Sequence, residues 1–327
     1  MENKSLLVSI VVPLYNEEES LPELCEWIDR VLKAEQIDYE VLLIDDGSKD
    51  GSWAVVRKLS AANPAVRGIR FNRNYGKSAA LDTGFKACRG DVVVTMDADL
   101  QDSPDELPGL VRMIREEGYD LVSGWKKKRY DPISKTIPSK FFNWVTSKIS
   151  GIKLHDFNCG LKAYRGEVIK NIEVYGEMHR YIPLIAKWNG FSYIGEKVVE
   201  HRARKYGVTK FGLERFVFGF LDLLSINFVS RYKKRPMHFF GTIGTLFFLF
   251  GMAVTFWLIG EKVYSNWFLG EQVRAVVDQP LFFLALVAVI IGVQLFLAGF
   301  LGELINVASR RKKEEYLVIE STGITSK

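Results

Sequence analysis

Asp91-Val-Val-Val-Thr-Met-Asp97-Ala-Asp99-Leu-Gln101 carries four β-branched residues in a row and then two acidic residues separated by one. The unbroken apolar run predicts a buried strand over Asp91–Met96. Because it does not alternate with polar residues, both of its faces are covered, as in a parallel sheet packed between helices. The same alternation of elements extends to either side. Leu6–Leu14 reads as a strand, and Glu18–Ala34 as a helix with Leu21, Leu24, Ile28, Val31 and Leu32 at helical spacing. Tyr39–Ile44 is a second strand and Ser52–Ala62 a helix stopped near Pro64; Val66–Phe71 is a third strand, followed by a helix over Ser78–Cys88. Beyond the opening stretch come a helix over Pro104–Glu117, with proline in its first turn, and a short strand at Asp120–Ser123. Repeated β-α-β units predict an α/β fold built on a mostly parallel sheet.

Ligands of such sheets bind beyond the carboxyl ends of the strands. Three of those ends carry acidic or amide groups: Pro13-Leu14-Tyr15-Asn16-Glu17, Ile44-Asp45-Asp46-Gly47-Ser48 and Asp97-Ala98-Asp99-Leu100-Gln101. Taken singly, Asp-Gly-Ser is an ordinary turn and Asp before a helix an ordinary cap. Gathered on one rim, carboxylates repel one another unless a cation or hydrogen-bond donors hold them. No Gly-x-Gly-x-x-Gly follows the first strand and no Gly-Lys-Ser/Thr loop occurs, so neither a dinucleotide oxidoreductase nor a P-loop enzyme is supported. Asp-x-Asp with nearby oxygen donors suits Mg²⁺ or Mn²⁺, whose shell phosphate oxygens complete.

The chain has 327 residues, 48% of them hydrophobic and 25% charged, which excludes disordered, collagen-like and disulfide-stapled classes. Its net charge of +5 hides segregation: residues 1–125 hold 14 Lys/Arg against 23 Asp/Glu, and residues 126–235 hold 23 against 9. Two charge-free runs follow, the 24 residues Met237–Gly260 and the 22 residues Leu281–Gly302. Each is long enough to cross a hydrocarbon core of about 30 Å as a helix. Arg231, Lys233, Lys234 and Arg235 precede the first run, and Arg310, Arg311, Lys312 and Lys313 follow the second; the loop between holds Lys262 and Arg274. The positive-inside rule then puts both flanks and both termini in the cytoplasm. Met1–Ser5 leads into a strand without a signal-peptide pattern. Two stretches read as amphipathic helices for the headgroup layer: Pro138–Ser150 and Phe211–Phe228. The expected order is a catalytic domain at 1–210, a juxtamembrane helix at 211–235, a two-helix anchor at 236–305 and a cytoplasmic tail at 306–327. Three cysteines and four histidines show no zinc spacing.

The three acidic strand ends together resemble the inverting, GT-A fold glycosyltransferases of family 2. More narrowly they resemble the polyisoprenyl-phosphate glycosyltransferases, relatives of dolichol-phosphate mannose synthase. The resemblance covers about residues 5–215. It implies a Rossmann-like GT-A domain in which Tyr15, Glu17 and Asp46 line a nucleotide pocket shaped by Pro13 and Ile44. It further implies that Asp97 and Asp99 face the donor diphosphate and that Asp99 and Gln101 hold Mg²⁺ or Mn²⁺. Asn16, Ala98, Lys126 and Arg202 complete the expected donor-binding set. Asp156-Phe-Asn-Cys-Gly160 resembles the family's Asp-x-x-Ser-Gly, with Cys159 in place of serine. Arg202-Ala-Arg204…Gly207-Val-Thr209-Lys210 resembles its Arg-x-Arg-Gly-x-Ser-Lys loop, with Lys205-Tyr206 inserted. Asp99, Asp156, Arg204 and Lys210 are accordingly the candidate catalytic residues.

The implied reaction joins the anomeric carbon of a UDP- or GDP-linked sugar to a polyprenyl phosphate, undecaprenyl or dolichyl, on the cytoplasmic face of a membrane, expected to be a bacterial inner membrane. A phosphate monoester is already largely an anion at neutral pH, its second pKa being about 6, so no strong general base is required. The barrier lies in charge building on the departing diphosphate, which a cation and fixed Arg or Lys groups offset. Two other readings are open: a processive polysaccharide synthase, whose Gln-x-x-Arg-Trp element and additional spans are missing here, and a catalytically silent membrane scaffold. A nucleic-acid partner is disfavoured, because the basic residues flank the apolar runs. Homo-oligomerisation stays open.

Overall fold

A computed structural model describes residues 6–127, 143, 146–148, 150–176, 178–202, 205, 236–270, 274–308 and 318–322. The chain divides into two compact units, Met1–Ile226 with Glu314–Lys327, and Asn227–Lys313.

The first unit is built on one eight-stranded sheet. Its strands are β1 (Leu7–Leu14), β2 (Asp38–Asp45), β3 (Val66–Phe71), β4 (Val92–Thr95), β5 (Leu121–Trp125), β6 (Lys162–Arg165), β7 (Ile194–Val198) and β8 (Val318–Thr322), in the order β7-β5-β6-β4-β1-β2-β3-β8. β1 pairs in parallel with β2 and β4, β2 with β3, and β5 with β7; β6 runs antiparallel between β4 and β5. Both faces are covered, as the continuous apolar runs require. On one face Val8, Ile10, Val12 and Leu14 of β1 meet Leu21, Leu24, Ile28 and Leu32 of α1 (Leu21–Ala34). On the other, Val11, Leu42 and Ile44 meet Leu81 and Phe85 of α3 (Lys77–Ala87). α2 (Ser52–Ala62) turns Trp53 and Val56 into the first of these layers. Each such side chain withdrawn from water contributes about 1.5–3 kcal/mol.

The helix expected over Pro104–Glu117 forms in two pieces, a 3₁₀ turn at Pro104–Glu106 and then α4 (Leu107–Arg115). Pro108 explains the break: it has no N–H to donate and its ring crowds the carbonyl four residues back, so it is tolerated only in a first turn. Among the described residues this unit also holds α5 (Gly166–Asn171) and α6 (Ile182–Trp188). β8 lies within the stretch expected to be a simple tail and pairs antiparallel with β3, Gly68 opposite Thr322.

The second unit is a pair of 29-residue helices, α7 (Pro236–Tyr264) and α8 (Pro280–Ala308). They run antiparallel with glycines at the seam. A Cβ on Gly244 would lie 2.6 Å from the Gly292 carbonyl oxygen, and one on Gly251 equally close to that of Ala285. Small residues let the backbones approach this closely. The outer faces expose Leu246, Phe250, Phe256, Trp257, Leu284 and Phe300. Both helices are long and apolar enough to cross a membrane, with only 17% of the most apolar stretch of each buried. A core helix of a soluble domain hides its apolar faces; these two do not.

Candidate active site

The strand ends meet on one rim through backbone clips. Asn16, with φ 56° in the left-handed region that asparagine tolerates, donates its N–H to Ser48 Oγ at 2.9 Å and accepts the Lys49 N–H on Oδ1 at 2.9 Å. Glu17 donates its N–H to Ser52 Oγ at 2.9 Å and accepts the Ser20 hydroxyl on Oε2 at 3.1 Å. Pro13 and Ile44 stand opposite each other in the β1–β2 register. Gly47 is needed where it stands: its φ is +72°, and a Cβ there would come within 2.7 Å of Arg73 Cα.

Asp46 is buried and both of its carboxylate oxygens are used, Oδ1 by the Tyr75 N–H at 2.7 Å and Oδ2 by the Gly76 N–H at 2.9 Å. Burial pushes its pKa above the usual carboxyl value against these two bonds, and neighbouring Asp45 adds to the rise. Asp46 therefore ties down the segment that enters α3. Between that segment and the β1 and β2 loops lies an open pocket of about 410 Å³, lined by Tyr15, Ser48, Lys49, Arg70, Arg73 and Asn74 among others. That volume falls in the range of pockets that hold a drug-sized ligand.

The turn after β4 is tight, with Leu100 at φ 60° and the Gln101 N–H donated to Asp99 Oδ1 at 3.2 Å. Asp97 forms an ion pair with Lys77 in the first turn of α3. Burial works to raise the Asp97 carboxyl, but the Lys77 ammonium, helped by Lys126 and Lys162, holds it down at about 2. Ala98 is buried beneath the turn. Gln101 accepts the Arg202 N–H on its carbonyl at 2.9 Å, and Asp102 bridges His201. The end of β4 and the start of the Arg202 segment thus lie side by side. The Arg202 guanidinium stacks over Trp27, 4.5 Å from the ring centre, and bonds Glu200.

Lys126 Nζ sits 2.6 Å from Asp102 Oδ1. Burial acts against its charge, yet the Asp102 carboxylate outweighs it and raises the amine, so Lys126 stays protonated. Asp156 is buried; its Oδ1 accepts the Asn158 N–H at 3.0 Å and its own N–H goes to Glu196 Oε1 at 3.0 Å. Cys159 is buried, and burial pushes its thiol up to about 12, which leaves it a packing residue. Gly160 has a steric reason to be glycine, since a Cβ there would overlap the Asp97 carboxylate. Arg204, Lys210 and the stretch 211–228 lie outside the described residues, as does most of 138–150.

The strand-end rule applied to β1, β2 and β4 also works for β3, and there it finds residues that the acidic pattern does not. Arg70 reaches the Ser48 carbonyl at 3.2 Å and Asp45 Oδ2 at 3.4 Å. Lys77 follows Gly76 directly at the start of α3.

A mostly parallel sheet thus carries Asp97, Asp99 and Gln101 after β4 and an open pocket at the ends of β1, β2 and β3. The family model for glycosyl transferase family 2 covers residues 9–173. The chain belongs to that family. This glycosyltransferase is 37% identical to dodecaprenyl-phosphate galacturonate synthase of Rhizobium johnstonii, over 92% of this chain and 88% of that protein. It is 35% identical to undecaprenyl-phosphate 4-deoxy-4-formamido-L-arabinose transferase of Aeromonas hydrophila, again over 92% and 88%. In fold it is similar to mannosyl-3-phosphoglycerate synthase from Rubrobacter xylanophilus (TM-score 0.56, 17% identity, 69% of this chain and 75% of that one). It is also similar to glucosyl-3-phosphoglycerate synthase from Mycobacterium tuberculosis in complex with Mn²⁺ and UDP-glucose (TM-score 0.51, 20% identity, 69% and 79%). These likenesses establish the GT-A-like fold of the glycosyltransferase.

Proposed function

We propose that the enzyme transfers a sugar from a nucleotide-sugar to a polyprenyl phosphate at a membrane surface, with inversion at the anomeric carbon. The observation that carries this reading is the extent of the two curated likenesses. Each covers 92% of the chain, more than the first unit alone, and each relative is named for a polyprenyl-phosphate product or acceptor. The exposed apolar faces of α7 and α8 call for a hydrocarbon environment in which such an acceptor dissolves.

The pocket beside Tyr15 and Arg73 receives the nucleoside, and the turn after β4 faces the diphosphate. Among the described residues no three His, Cys, Asp or Glu side chains form a ready-made metal cage. The oxygen donors present, the Asp99 carboxylate and the Gln101 amide, nonetheless fit Mg²⁺ or Mn²⁺, hard cations that fill their shell with water and phosphate oxygens. Asp99 and Gln101 would hold the ion, which supplies charge neutralisation on the diphosphate. Lys77 and Lys126 bring further positive charge to the same end of β4. The buried Asp156 sets the 156–158 turn beneath the transfer site through its bond to the Asn158 N–H.

Purified full-length enzyme, a panel of UDP- and GDP-sugars and a short-chain polyprenyl phosphate test the reading directly. One donor yields a lipid-linked sugar, and Asp99→Asn lowers its turnover by about 10² or more while the melting temperature holds. Excess chelator has a similar effect on the wild type. No lipid product with any donor overturns the function; undiminished activity of Asp99→Asn, or of wild type in chelator, overturns the metal assignment.

A further inference from the structure

One aromatic ring of α1 joins the core to the segment that follows β4. Trp27 is 9% exposed and belongs to the apolar layer between α1 and β1. Its indole N–H donates to Asp105 Oδ1 at 2.9 Å, and the other oxygen of that carboxylate accepts the Ser103 hydroxyl at 3.0 Å. The Arg202 guanidinium lies over the ring, 4.5 Å from its centre, whereas Arg30 of α1 itself stays 5.9 Å away. Nε and Nη2 of Arg202 each donate to the Glu200 carboxylate at 3.3 Å. The Arg202 N–H goes to the Gln101 carbonyl at 2.9 Å, next to the Asp102–His201 bridge. One turn before Trp27 on α1, Glu23 pairs with Lys205 at 2.7 Å.

The contacts run in a closed circuit, from Gln101 through Arg202 to Trp27 and back through Asp105 and Ser103. Both ends of that circuit lie just after Asp99, in the stretch expected to hold the cation. Its strongest side-chain link can be picked out. Lys205 and Glu23 are exposed, and pairs of that kind contribute little. A guanidinium stacked on indole, the best aromatic partner for a cation, contributes more, the more so when the ring is nearly buried. The Nε–Nη2 edge is also the one with which arginine grips a phosphate side-on. Here a carboxylate takes that edge and the indole covers one face. Arg204, a candidate catalytic residue, follows two positions later in the chain.

We propose that Arg202 and Trp27 are positioning residues, a latch that holds the start of the basic segment against the turn after β4 and thereby sets Gln101 and the entry to Arg204 for transfer. This role differs from the donor contact that the family resemblance implies for Arg202. The proposal rests on the transfer reaction above. Arg202 acts through Trp27, so the two residues work as one unit and neither adds to nucleotide affinity.

The test uses full-length enzyme in detergent with Arg202→Ala, Trp27→Leu, the double variant and, should Trp27→Leu fold poorly, Trp27→Phe. Arg202→Ala and Trp27→Leu each lower kcat about three- to tenfold, while UDP and GDP affinities, titrated separately, stay within about twofold of wild type. The double variant is no slower than the slower single one, because either change already opens the latch. Trp27→Phe, which keeps an aromatic face, retains most of the rate. Losses that multiply in the double variant, an unchanged kcat, or nucleotide affinity that falls about tenfold in Arg202→Ala alone overturn the latch; the last result makes Arg202 a donor ligand. Hydrogen exchange supplies an arm that needs no turnover. The peptide containing the Arg202 N–H exchanges about three- to tenfold faster in Arg202→Ala than in wild type, with the melting temperature within about two degrees. Equal exchange in the two proteins refutes the latch. An enzyme that transfers nothing to polyprenyl phosphate refutes the proposed function instead, and the exchange and nucleotide arms still judge the latch.

Discussion

A methyl group on Gly160 would overlap the Asp97 carboxylate, so the end of β6's approach and the end of β4 come together only because that side chain is missing. Gly160→Ala is accordingly expected to displace Asp97 and lower turnover by about tenfold or more, with a smaller change in melting temperature. Steady-state kinetics beside a thermal melt make the comparison. Cys159→Ser, one residue earlier, exchanges one small side chain for another and should leave most activity intact. The Lys77–Asp97 pair has a pH signature of its own. Its folded-state carboxyl titrates at about 2, below the ordinary value of about 3.9. Stability from the pair is therefore complete above about pH 4 and disappears as pH falls toward 2. Both side chains are about one-third exposed, with 34% and 33% accessible, so solvent screening leaves roughly 1 kcal/mol or less. Lys77→Gln should melt a few degrees below wild type at pH 7, and the gap should close near pH 2. A gap that is constant with pH would remove the ion pair as its cause.

Among the elements, the segment between β3 and α3 shows how the pocket wall depends on a distant carboxylate. Asp46→Ala leaves the Tyr75 and Gly76 N–H groups without their acceptor. The expected cost is about 2 kcal/mol of stability, together with weaker donor binding as the Arg73–Asn74 wall loosens. Asp46→Asn, which keeps one accepting oxygen, should fall between. Calorimetric titration of the nucleoside diphosphate and a denaturant melt test both. The pocket end of the sheet was legible in the residues because strand ends announce themselves: an apolar run stops and Asp, Asn or Glu follows. That rule located Asp46, Asp97, Asp99 and Gln101, but it is blind to cations contributed by a helix start or a short turn. Lys77 and Lys162 each look like ordinary surface residues in sequence; only tertiary packing turns them toward Asp97. Likewise nothing in Pro104–Glu117 signals where a helix with two prolines begins, since Pro104 and Pro108 each suit a first turn. β6 and β7 escaped because each is short and one runs antiparallel, outside the β-α-β rhythm.

On the scale of the whole molecule, β8 constrains how the chain can be threaded through a membrane. It follows both apolar helices in sequence and yet pairs with β3, register Ile69 to Ser321 and Arg70 to Glu320. A strand cannot join a sheet across a bilayer, so residues 318–322 and the catalytic domain share one side. If α7 and α8 both cross a membrane, as expected, the connection near 265–279 belongs on the other side. The pairing bears on the number of crossings; the cytoplasmic side is the expectation drawn from the basic flanks. A cysteine at Ser265, tested in intact cells with an impermeant thiol reagent, should be labelled; one at Ser326 should react only after lysis. Labelling at both positions in intact cells would mean that β8 is not in the sheet. The strand also covers the edge of β3, whose continuation forms the Arg70–Asn74 wall of the open pocket. Thr322 adds a side-chain contact, its Oγ1 lying 3.3 Å from Ser60 Oγ in α2. Cutting the chain after Glu315 should therefore raise the donor KM several-fold, because that edge regains unpaired N–H and C=O groups and the wall loses its neighbour. The acceptor KM should change little. A synthetic peptide spanning residues 314–327, added at high concentration, should restore donor affinity by pairing with β3 in place of the missing strand. Truncated enzyme with an unaltered donor KM, or a loss that the peptide leaves untouched, would show that β8 closes the sheet without shaping the pocket.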